Sequence, residues 1–209
     1  LSNKDLSYLT CLISGGDSLS SSLKHKIDDF LKSHGSNTII RPAYGLTEAT
    51  AGVCMTPVNE SRDNSIGVPV PDTYIKIVVP NTHTEVATGE EGEICINGPT
   101  VMMGYLNNPK ETAQALQYHE EDKKVWLHTG DLGYVDKDGF VYFKQRLKRM
   151  IVSSGYNIYP SYIEEVIEKH PNVLTSTVIG IDHPHKVQVA KAYIVLKDGI
   201  KPTSEIKKS

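Results

Sequence analysis

The apolar positions among the first forty residues predict a strand, a helix and a second strand. Residues 8–13 form a short apolar run that predicts a buried strand. Residues 19–33 carry leucine, isoleucine and phenylalanine at helical spacing behind a serine-rich cap. Residues 38–40 begin a second strand. This order is typical of a parallel α/β layer, in which ligands bind at the carboxyl ends of the strands.

About a third of the way along the chain, the pattern changes to short strands separated by glycine, proline and asparagine. Strands are predicted over residues 74–79 and 92–97, with another around residues 125–127. Residues 133–136 and 140–143 flank the sequence D-K-D-G, which indicates a hairpin turn. The middle of the chain is therefore predicted to form a small antiparallel sheet or barrel.

A third pattern follows Arg146. Residues 162–170 have the spacing of an amphipathic helix, and Pro160 suits its first turn or the position just before it. Residues 173–181 and 187–196 predict two strands. The last part of the chain is therefore predicted to be an α+β module.

Together these patterns predict a fold of mixed α/β and β class in three parts. They are a parallel α/β layer over residues 1–60, a small antiparallel β region over residues 61–147, and an α+β module over residues 148–209. Charge changes at the same place, because residues 1–147 carry a net charge of −6 and residues 148–209 a net charge of +3.

Composition narrows the class of protein. A net charge of −3 and a pI of about 6.3 argue against nucleic acid as an obligate partner. The three cysteines, Cys11, Cys54 and Cys95, are far apart and predict neither a disulfide framework nor a zinc site. We expect reduced, buried thiols in a cytoplasmic protein. No apolar run approaches 18 residues, so we expect no transmembrane segment, and peripheral membrane contact stays open.

Two glycine-containing motifs in the first part suit a nucleotide. In Ser14-Gly15-Gly16-Asp17 the glycines let the backbone approach a flat ligand, and a following helix would offer free N–H groups; a plain tight turn is the alternative. The stretch Y-G-L-T-E reads as a short turn with a ring that can stack on a base. Its threonine can bind a phosphoryl oxygen and its carboxylate can hold Mg²⁺. An ordinary helix start is the alternative there.

Further candidates lie downstream. Asp131 follows a strand and could accept both ribose hydroxyls, although it could equally stabilise a turn. The Arg146 guanidinium could make paired hydrogen bonds to the same sugar or to a phosphate, or the residue could simply lie at the surface. The predicted hairpin between them would bring the two residues onto one ligand. Ser154-Gly155-Tyr156-Asn157 reads as a tight loop that could border a narrow ligand, or as a simple turn.

In their order and spacing, these motifs resemble the adenylate-forming superfamily. That group includes acyl-CoA synthetases, aryl-CoA ligases, firefly-type luciferases and the adenylation domains of peptide synthetases. The resemblance covers essentially all 209 residues and is carried by S-G-G-D, Y-G-L-T-E, G-E-I-C-I-N-G-P-T-V-M-M-G-Y-L, W-L-H-T-G-D-L-G and R-L-K-R-M-I-V-S-S-G-Y-N-I-Y-P.

The resemblance implies an enzyme that activates a carboxylic acid with ATP to an acyl-adenylate, releases pyrophosphate and transfers the acyl group to a thiol. Glu48 would hold Mg²⁺ and act in catalysis with Thr47, and Lys148 would be the hinge of the small domain. The implied ATP- or AMP-binding residues are Gly15, Gly16, Asp17, Tyr44, Gly45, Thr47, Asp131 and Arg146, and the implied coenzyme A-binding residues are Ser154, Gly155 and Tyr156.

The hinge segment is most similar to fatty-acyl-CoA ligases, because amino-acid-activating domains more often carry aspartate where this chain has Lys148. We therefore expect a fragment of an acyl-CoA synthetase. The resemblance implies that residues 1–60 are the end of the large-domain α/β layer, residues 61–147 its β subdomain, and residues 148–209 a truncated C-terminal α+β domain. A carrier-protein-loading enzyme and a non-catalytic nucleotide-binding relative are the alternatives.

Two family elements are missing from the 209 residues. They contain no Gly/Ser/Thr-rich phosphate loop, and Lys207 and Lys208 stand in the wrong context to replace the family's C-terminal lysine. We expect the fragment itself to be inactive, because the loss of one such donor alone slows a reaction by about 10²–10³.

Overall fold

The computed structural model describes residues 4–17 and 19–203. The chain divides into two compact units, and the division falls between Phe143 and Lys144. The predicted mixed α/β and β class is confirmed, with three separate sheets and few helices. The predicted domain boundaries and the hinge at Lys148 stay predictions. Lys207 and Lys208 lie outside the described residues.

The first sheet begins with a strand–helix–strand unit. Strand β1 (Leu12–Ser14) and helix α1 (Ser21–Ser33) lead into β2 (Ile40–Leu46), and β1 pairs in parallel with β2. Strands β3 (Ala51–Met55) and β4 (Val68–Pro69) then add in antiparallel order, so that the sheet runs β1-β2-β3-β4. The predicted parallel α/β layer is confirmed.

Helix α1 is fixed at its start and along its inner side. The Ser20 side chain caps it by accepting a hydrogen bond from Leu23 N, 3.3 Å away. Asp28 accepts one bond from the buried Lys24 ammonium and another from Ile40 N, at 2.8 and 2.7 Å. The same carboxylate therefore holds the helix against the first residue of β2.

The second sheet is antiparallel and forms the middle of the chain. It contains β5 (Tyr74–Val78), β6 (Gly92–Asn97), β7 (Leu116–His119), β8 (Lys124–Val135) and β9 (Val141–Arg146). Its order is β5-β6-β8-β7, and β9 also pairs with β8. A helix that the sequence analysis did not predict, α2 (Pro109–Ala115), precedes β7.

The two faces of this sheet differ in chemistry. Successive side chains along each strand point to opposite faces of the sheet. One face therefore packs into a core shared with Val53 of β3, and its residues are Ile77, Ile94, Ile96 and Leu127. Its opposite face, called here the polar face, carries Lys76, Cys95, His119, Trp126 and His128, all of them buried.

The polar face is ordered by charge and ring contacts. Asp122 binds the Lys76 ammonium at 3.0 Å and accepts from Trp126 Nε1 at 2.9 Å, while the Lys76 ammonium lies 4.3 Å from the Trp126 ring centre. Burial, reinforced by the charge of Lys76, lowers the pKa of His119 to about 4. His119 is therefore neutral near pH 7.

The second unit contains one sheet and one helix. Its strands are β10 (Ile151–Ser153), β11 (Tyr156–Ile158), β12 (Val173–His183) and β13 (Val187–Leu196), in the order β11-β10-β13-β12. Helix α3 (Pro160–Glu168) has proline at its first position, as predicted, and packs on β12. This confirms the α+β character of the last part.

Several element predictions need correction. The first strand spans residues 12–14 rather than 8–13, because the preceding residues form a turn. Cys11 is exposed, against the prediction of buried thiols, whereas Cys54 and Cys95 are buried and all three are free. Within the described residues, no helix is both long and apolar enough to cross a membrane.

Candidate functional site

The site is built around an insertion in strand β8. Cys95 pairs with His128 and Glu93 pairs with Leu132, so two residue steps on β6 face four on β8. The extra residues bulge out at Thr129-Gly130-Asp131, where Gly130 adopts a φ of +70°. The sequence analysis placed this motif after a strand. It lies inside one, and the bulge turns Asp131 away from the regular alternation.

Buried hydrogen bonds hold the bulge. Glu93, itself buried, accepts from Gly130 N at 2.9 Å and from Nδ1 of His128 at 2.9 Å. The Thr129 hydroxyl donates to Ile94 O at 2.7 Å and accepts from Asp131 N at 3.1 Å. The position of Asp131 is therefore fixed by neighbours on β6 and by its own turn.

Asp131 is joined to the first sheet by Tyr44. The Tyr44 hydroxyl donates to Oδ2 of Asp131 at 2.7 Å, and Asp131 is only 2% exposed. Burial and the negative charge of Asp131 both raise the pKa of Tyr44, so the phenol keeps its proton. The Tyr44 ring lies 6.2 Å from that of Phe143. Two residues separated by 87 positions thus meet, a direct contact that the sequence analysis did not predict.

The stretch Y-G-L-T-E is not the turn that the sequence analysis predicted. Tyr44 and Gly45 lie in strand β2, and only residues 47–49 form a short 3-10 turn into β3. A side chain at Gly45 would collide with the backbone of Ala51, so glycine allows the two strands to approach here. Thr50 and Ala51 have φ values of 54° and 82°, a strain on the order of 1–3 kcal/mol each.

Glu48 projects from this strained turn and meets a tyrosine. The Tyr105 hydroxyl donates to Oε1 of Glu48 at 2.7 Å, and this hydrogen bond raises the pKa of Tyr105 to about 12. Met102 N also donates to the Glu48 carbonyl at 2.8 Å. An oriented carboxylate with the exposed hydroxyl of Thr47 beside it supplies the oxygen donors that Mg²⁺ prefers, so the residues fit that ion.

The glycine loop lies beside the same strand. Parallel pairing sets Ser14 opposite Pro42, and a side chain added at Gly15 would lie 3.3 Å from the carbonyl oxygen of Ala43. Gly16 has a φ of +91° with open space around it. Helix α1 begins only at residue 21, so Gly15, Gly16 and Asp17 do not open the helix as predicted. They form a loop alongside the Tyr44 strand.

The remaining predicted residues belong to the second unit. Arg146 ends β9 and Lys148 lies in a 3-10 turn, both of them exposed. Ser154 and Gly155 form the turn of the β10–β11 hairpin, with φ values of 51° and 83°, and Tyr156 is 76% exposed. The predicted tight loop is therefore a hairpin turn. The meeting of Arg146 with Asp131 stays a prediction.

Sequence reasoning did not single out two residues that shape the site. Tyr105 and Glu93 lie in the G-E-I-C-I-N-G-P-T-V-M-M-G-Y-L run, which was quoted for the resemblance but given no role. Tyr105 holds Glu48 across 57 positions, and Glu93 holds Gly130 across 37. A glutamate in a strand and a tyrosine after glycine carry no local signal for such distant contacts.

Comparison with known families accounts for this arrangement. Residues 1–106 match the family model described as AMP-binding enzyme, and residues 162–209 match that of the AMP-binding enzyme C-terminal domain. The chain belongs to the AMP-binding enzyme family. This membership confirms the resemblance inferred from the motifs.

Similar AMP-binding enzymes are named for several substrates. The long-chain-fatty-acid–CoA ligase of Bacillus subtilis (strain 168) is 37% identical over 98% of this chain and 35% of its own length. Luciferin 4-monooxygenase of Luciola mingrelica is 34% identical over 93% of this chain and 34% of its own length. The chain thus spans about a third of the length of the curated relatives that it matches.

Solved structures agree with this membership. The o-succinylbenzoate CoA synthetase of Bacillus subtilis, in complex with its acyl-adenylate intermediate, matches 99% of this chain with a TM-score of 0.79. It is 30% identical, and the match covers 40% of that protein. The fold found here is therefore that of part of an AMP-binding enzyme.

A methyl group at position 45 should disturb the pairing of β2 with β3 in this member of the AMP-binding enzyme family. We expect Gly45→Ala to lower the free energy of unfolding of the first unit by about 1–3 kcal/mol, because the added carbon overlaps Ala51. Urea denaturation followed by the fluorescence of Trp126, the single tryptophan, measures this effect. Gly52→Ala, with nothing within 4 Å, is the matched control and should be neutral or stabilising by up to about 1 kcal/mol. Equal effects at both positions would contradict the close approach.

The Tyr44 hydroxyl should stabilise the buried Asp131. We expect Tyr44→Phe to cost about 1–3 kcal/mol of unfolding free energy, since a buried carboxylate loses its phenol donor while the ring is kept. The same urea titration measures it. Tyr118→Phe, at a tyrosine that is 47% exposed, should change stability by less than about 0.5 kcal/mol. A neutral Tyr44→Phe would show that this hydrogen bond contributes nothing.

Proposed function

We propose that the chain is part of an ATP-dependent, AMP-forming acid–thiol ligase of the acyl-CoA synthetase type. The parent enzyme converts a carboxylic acid and ATP to an acyl-adenylate and pyrophosphate, then forms a thioester with coenzyme A. The observation that carries this proposal is the hydrogen bond between Tyr44 and Asp131. It brings an aromatic ring and a buried carboxylate from different sheets to one place, as a nucleoside site requires.

The first unit binds the nucleotide in this proposal. The Tyr44 ring stacks on adenine while Gly15 and Gly16 lie along its edge, and Asp131 accepts the ribose hydroxyls. Support comes from the loop beside Ala43 and from the bulge that fixes the carboxylate. Arg146 is the further proposed ribose-binding residue. The support from bond geometry concerns Gly15, Tyr44 and Asp131, which all belong to the first unit.

The phosphate end of the nucleotide lies at the strained turn. Thr47 hydrogen-bonds a phosphoryl oxygen, and Glu48 holds Mg²⁺ with Tyr105 orienting its carboxylate. The ion supplies positive charge against the phosphate oxygens when it is bound. The hydrogen bond from Tyr105 supports this role, because a ligating carboxylate with its own donor keeps one orientation.

Coenzyme A is the proposed thiol acceptor. Ser154, Gly155 and Tyr156 border the pantetheine path, and Lys148 is the hinge about which the second unit moves between the two half-reactions. The positive φ angles of the hairpin turn and the exposed ring of Tyr156 support a surface that a narrow ligand can reach. The fatty-acid ligase among the relatives supports a fatty or similar acid as substrate.

The 209-residue chain is proposed to bind adenylate without turning it over. It holds the adenine, ribose and metal positions, but its sequence contains no Gly/Ser/Thr-rich phosphate loop. The transferring phosphate therefore lacks its backbone donors, and preorganised donors of that kind supply much of the rate.

Calorimetric titration with AMP tests the nucleotide site. We expect the 209-residue chain to bind AMP, and Asp131→Ala to weaken binding about 10- to 100-fold by removing a charged hydrogen-bond acceptor. Asp29→Ala removes an exposed carboxylate on α1 and should leave affinity unchanged. The proposal would be contradicted if the chain did not bind AMP, or if both variants lost AMP affinity equally. Pyrophosphate release that depends on the carboxylic acid would instead refute the predicted inactivity.

The metal role of Glu48 is tested through ATP. We expect Mg²⁺ to strengthen ATP binding to the chain, and Glu48→Gln to abolish that strengthening while AMP affinity stays within about twofold. Glutamine keeps an oxygen acceptor for Tyr105 but removes the charge. Titrations of ATP with and without Mg²⁺ measure the difference. An unchanged Mg²⁺ effect in the variant would place the ion elsewhere.

A further inference from the structure

Three histidines cluster on the polar face, on the far side of the second sheet from its apolar core. His119 ends β7 and is fully buried, His128 lies in β8 and is 9% exposed, and His83 covers both from the loop between β5 and β6. One nitrogen from each ring lies within 4.8 Å of the other two. The proposed reaction uses none of these three side chains.

The contacts around the rings show which nitrogens are engaged and which could turn to an ion. Nδ1 of His128 donates to Glu93, so its Nε2 accepts a hydrogen bond from Nε2 of His119, 2.9 Å away. An ion between these two nitrogens would take the place of that proton, which would move to Nδ1 of His119. Nε2 of His83 lies 2.9 Å from the amide oxygen of Gln117 and donates to it, so its Nδ1 carries the free lone pair. The His83 and His119 rings lie 4.0 Å apart, centre to centre.

His128 shows the arrangement that metal-binding histidines generally adopt. A carboxylate on one ring nitrogen fixes the tautomer and makes the other nitrogen a better ligand. Glu93 supplies that carboxylate to His128, and Gln117 supplies the equivalent oxygen to His83. His119 has a buried Nδ1 without a hydrogen-bond partner among the described residues, so nothing on its outer side competes for the ring.

We propose that His83, His119 and His128 form a binding site for one divalent transition-metal ion of the zinc class. Imidazole nitrogen favours Zn²⁺, Co²⁺, Ni²⁺ and Cu²⁺ over Mg²⁺ and Ca²⁺, so this site differs in kind from that proposed at Glu48. Tetrahedral ligands about 2.0 Å from an ion lie about 3.3 Å apart. The His83 ring is stacked on the His119 ring at 4.0 Å between centres, so the half-buried His83 has to rotate out of this stack to direct a nitrogen at the ion.

Glu93 is an orienting residue here and not a ligand. A second group of possible donors, Glu93, Cys95 and His128, shares His128 with the first. Each Glu93 oxygen already accepts a hydrogen bond, one from His128 and one from Gly130 N. Withdrawing that carboxylate would release the bulge that carries Asp131, whereas His83 can move without breaking the sheet.

Titration of the 209-residue chain with Co²⁺ tests the site. We expect one ion per chain, with visible absorption typical of a low-coordinate nitrogen site, and displacement by one equivalent of Zn²⁺. His83→Ala should weaken binding at least about 100-fold, since it removes a ligand without altering a strand. Glu93→Gln should weaken binding about 10- to 100-fold while one ion still binds, as expected of an orienting residue.

The matched control removes another pair of histidines. His183 and His185 lie 6.1 Å apart, ring centre to ring centre, in the second unit, where His183 is half-buried and His185 is exposed. A pair of this kind could bind ions adventitiously. The double variant His183→Ala, His185→Ala should retain the absorption band and the affinity. The proposal is overturned if that variant loses the band, if His83→Ala keeps full affinity, or if Co²⁺ does not bind below about 1 mM.

Discussion

The fold of the first unit depends on one buried carboxylate at the bulge of β8. Glu93 is 5% exposed, and an unpaired charge at that depth would cost several kilocalories per mole. It is satisfied by a backbone N–H from Gly130 and by the His128 ring. The ladder between β6 and β8 is interrupted at this point, so Glu93 replaces the hydrogen bonds that a regular ladder would supply. The bulge is therefore a defined element of structure.

The bulge that Glu93 stabilises also positions a second buried carboxylate, that of Asp131. The bulge turns Asp131 toward β2, where the Tyr44 hydroxyl meets it. This contact joins two sheets that also share apolar packing and a backbone bridge between Gly67 and Val141. The strain at Thr50 and Ala51 lies at the other end of the same hairpin. Strain can persist there because strand pairing and the Thr50 hydrogen bond to Thr100 O over-determine the turn. Hydrogen-bonded backbone thus adjoins the proposed contacts at Tyr44, Glu48 and Asp131.

The sequence predicts those parts of the molecule whose cause is local. The spacing of apolar residues, the helix caps and the turn residues predicted the parallel β1–β2 pair, the D-K-D-G hairpin and α3. The order of the motifs predicted the family. Long-range pairing escaped prediction. Nothing in the residues around Thr129 reveals that two extra positions lie in β8, because the register is set by β6 some 35 positions earlier. For the same reason Y-G-L-T-E was read as a turn, since the partner that makes it a strand comes afterwards.

Alternation along β8 explains how one strand can serve two kinds of chemistry. His128 points to the polar face and Leu127 to the core, and the bulge then lets Asp131 leave the pattern toward Tyr44. Because Glu93 contacts both His128 and Gly130, a shift of the histidine ring and a shift of the bulge at Thr129-Gly130-Asp131 cannot be independent. An ion held by His128 would restrain Glu93, and Glu93 would restrain the bulge. Coupling between the two places would therefore pass through one side chain, with no larger rearrangement of the sheet.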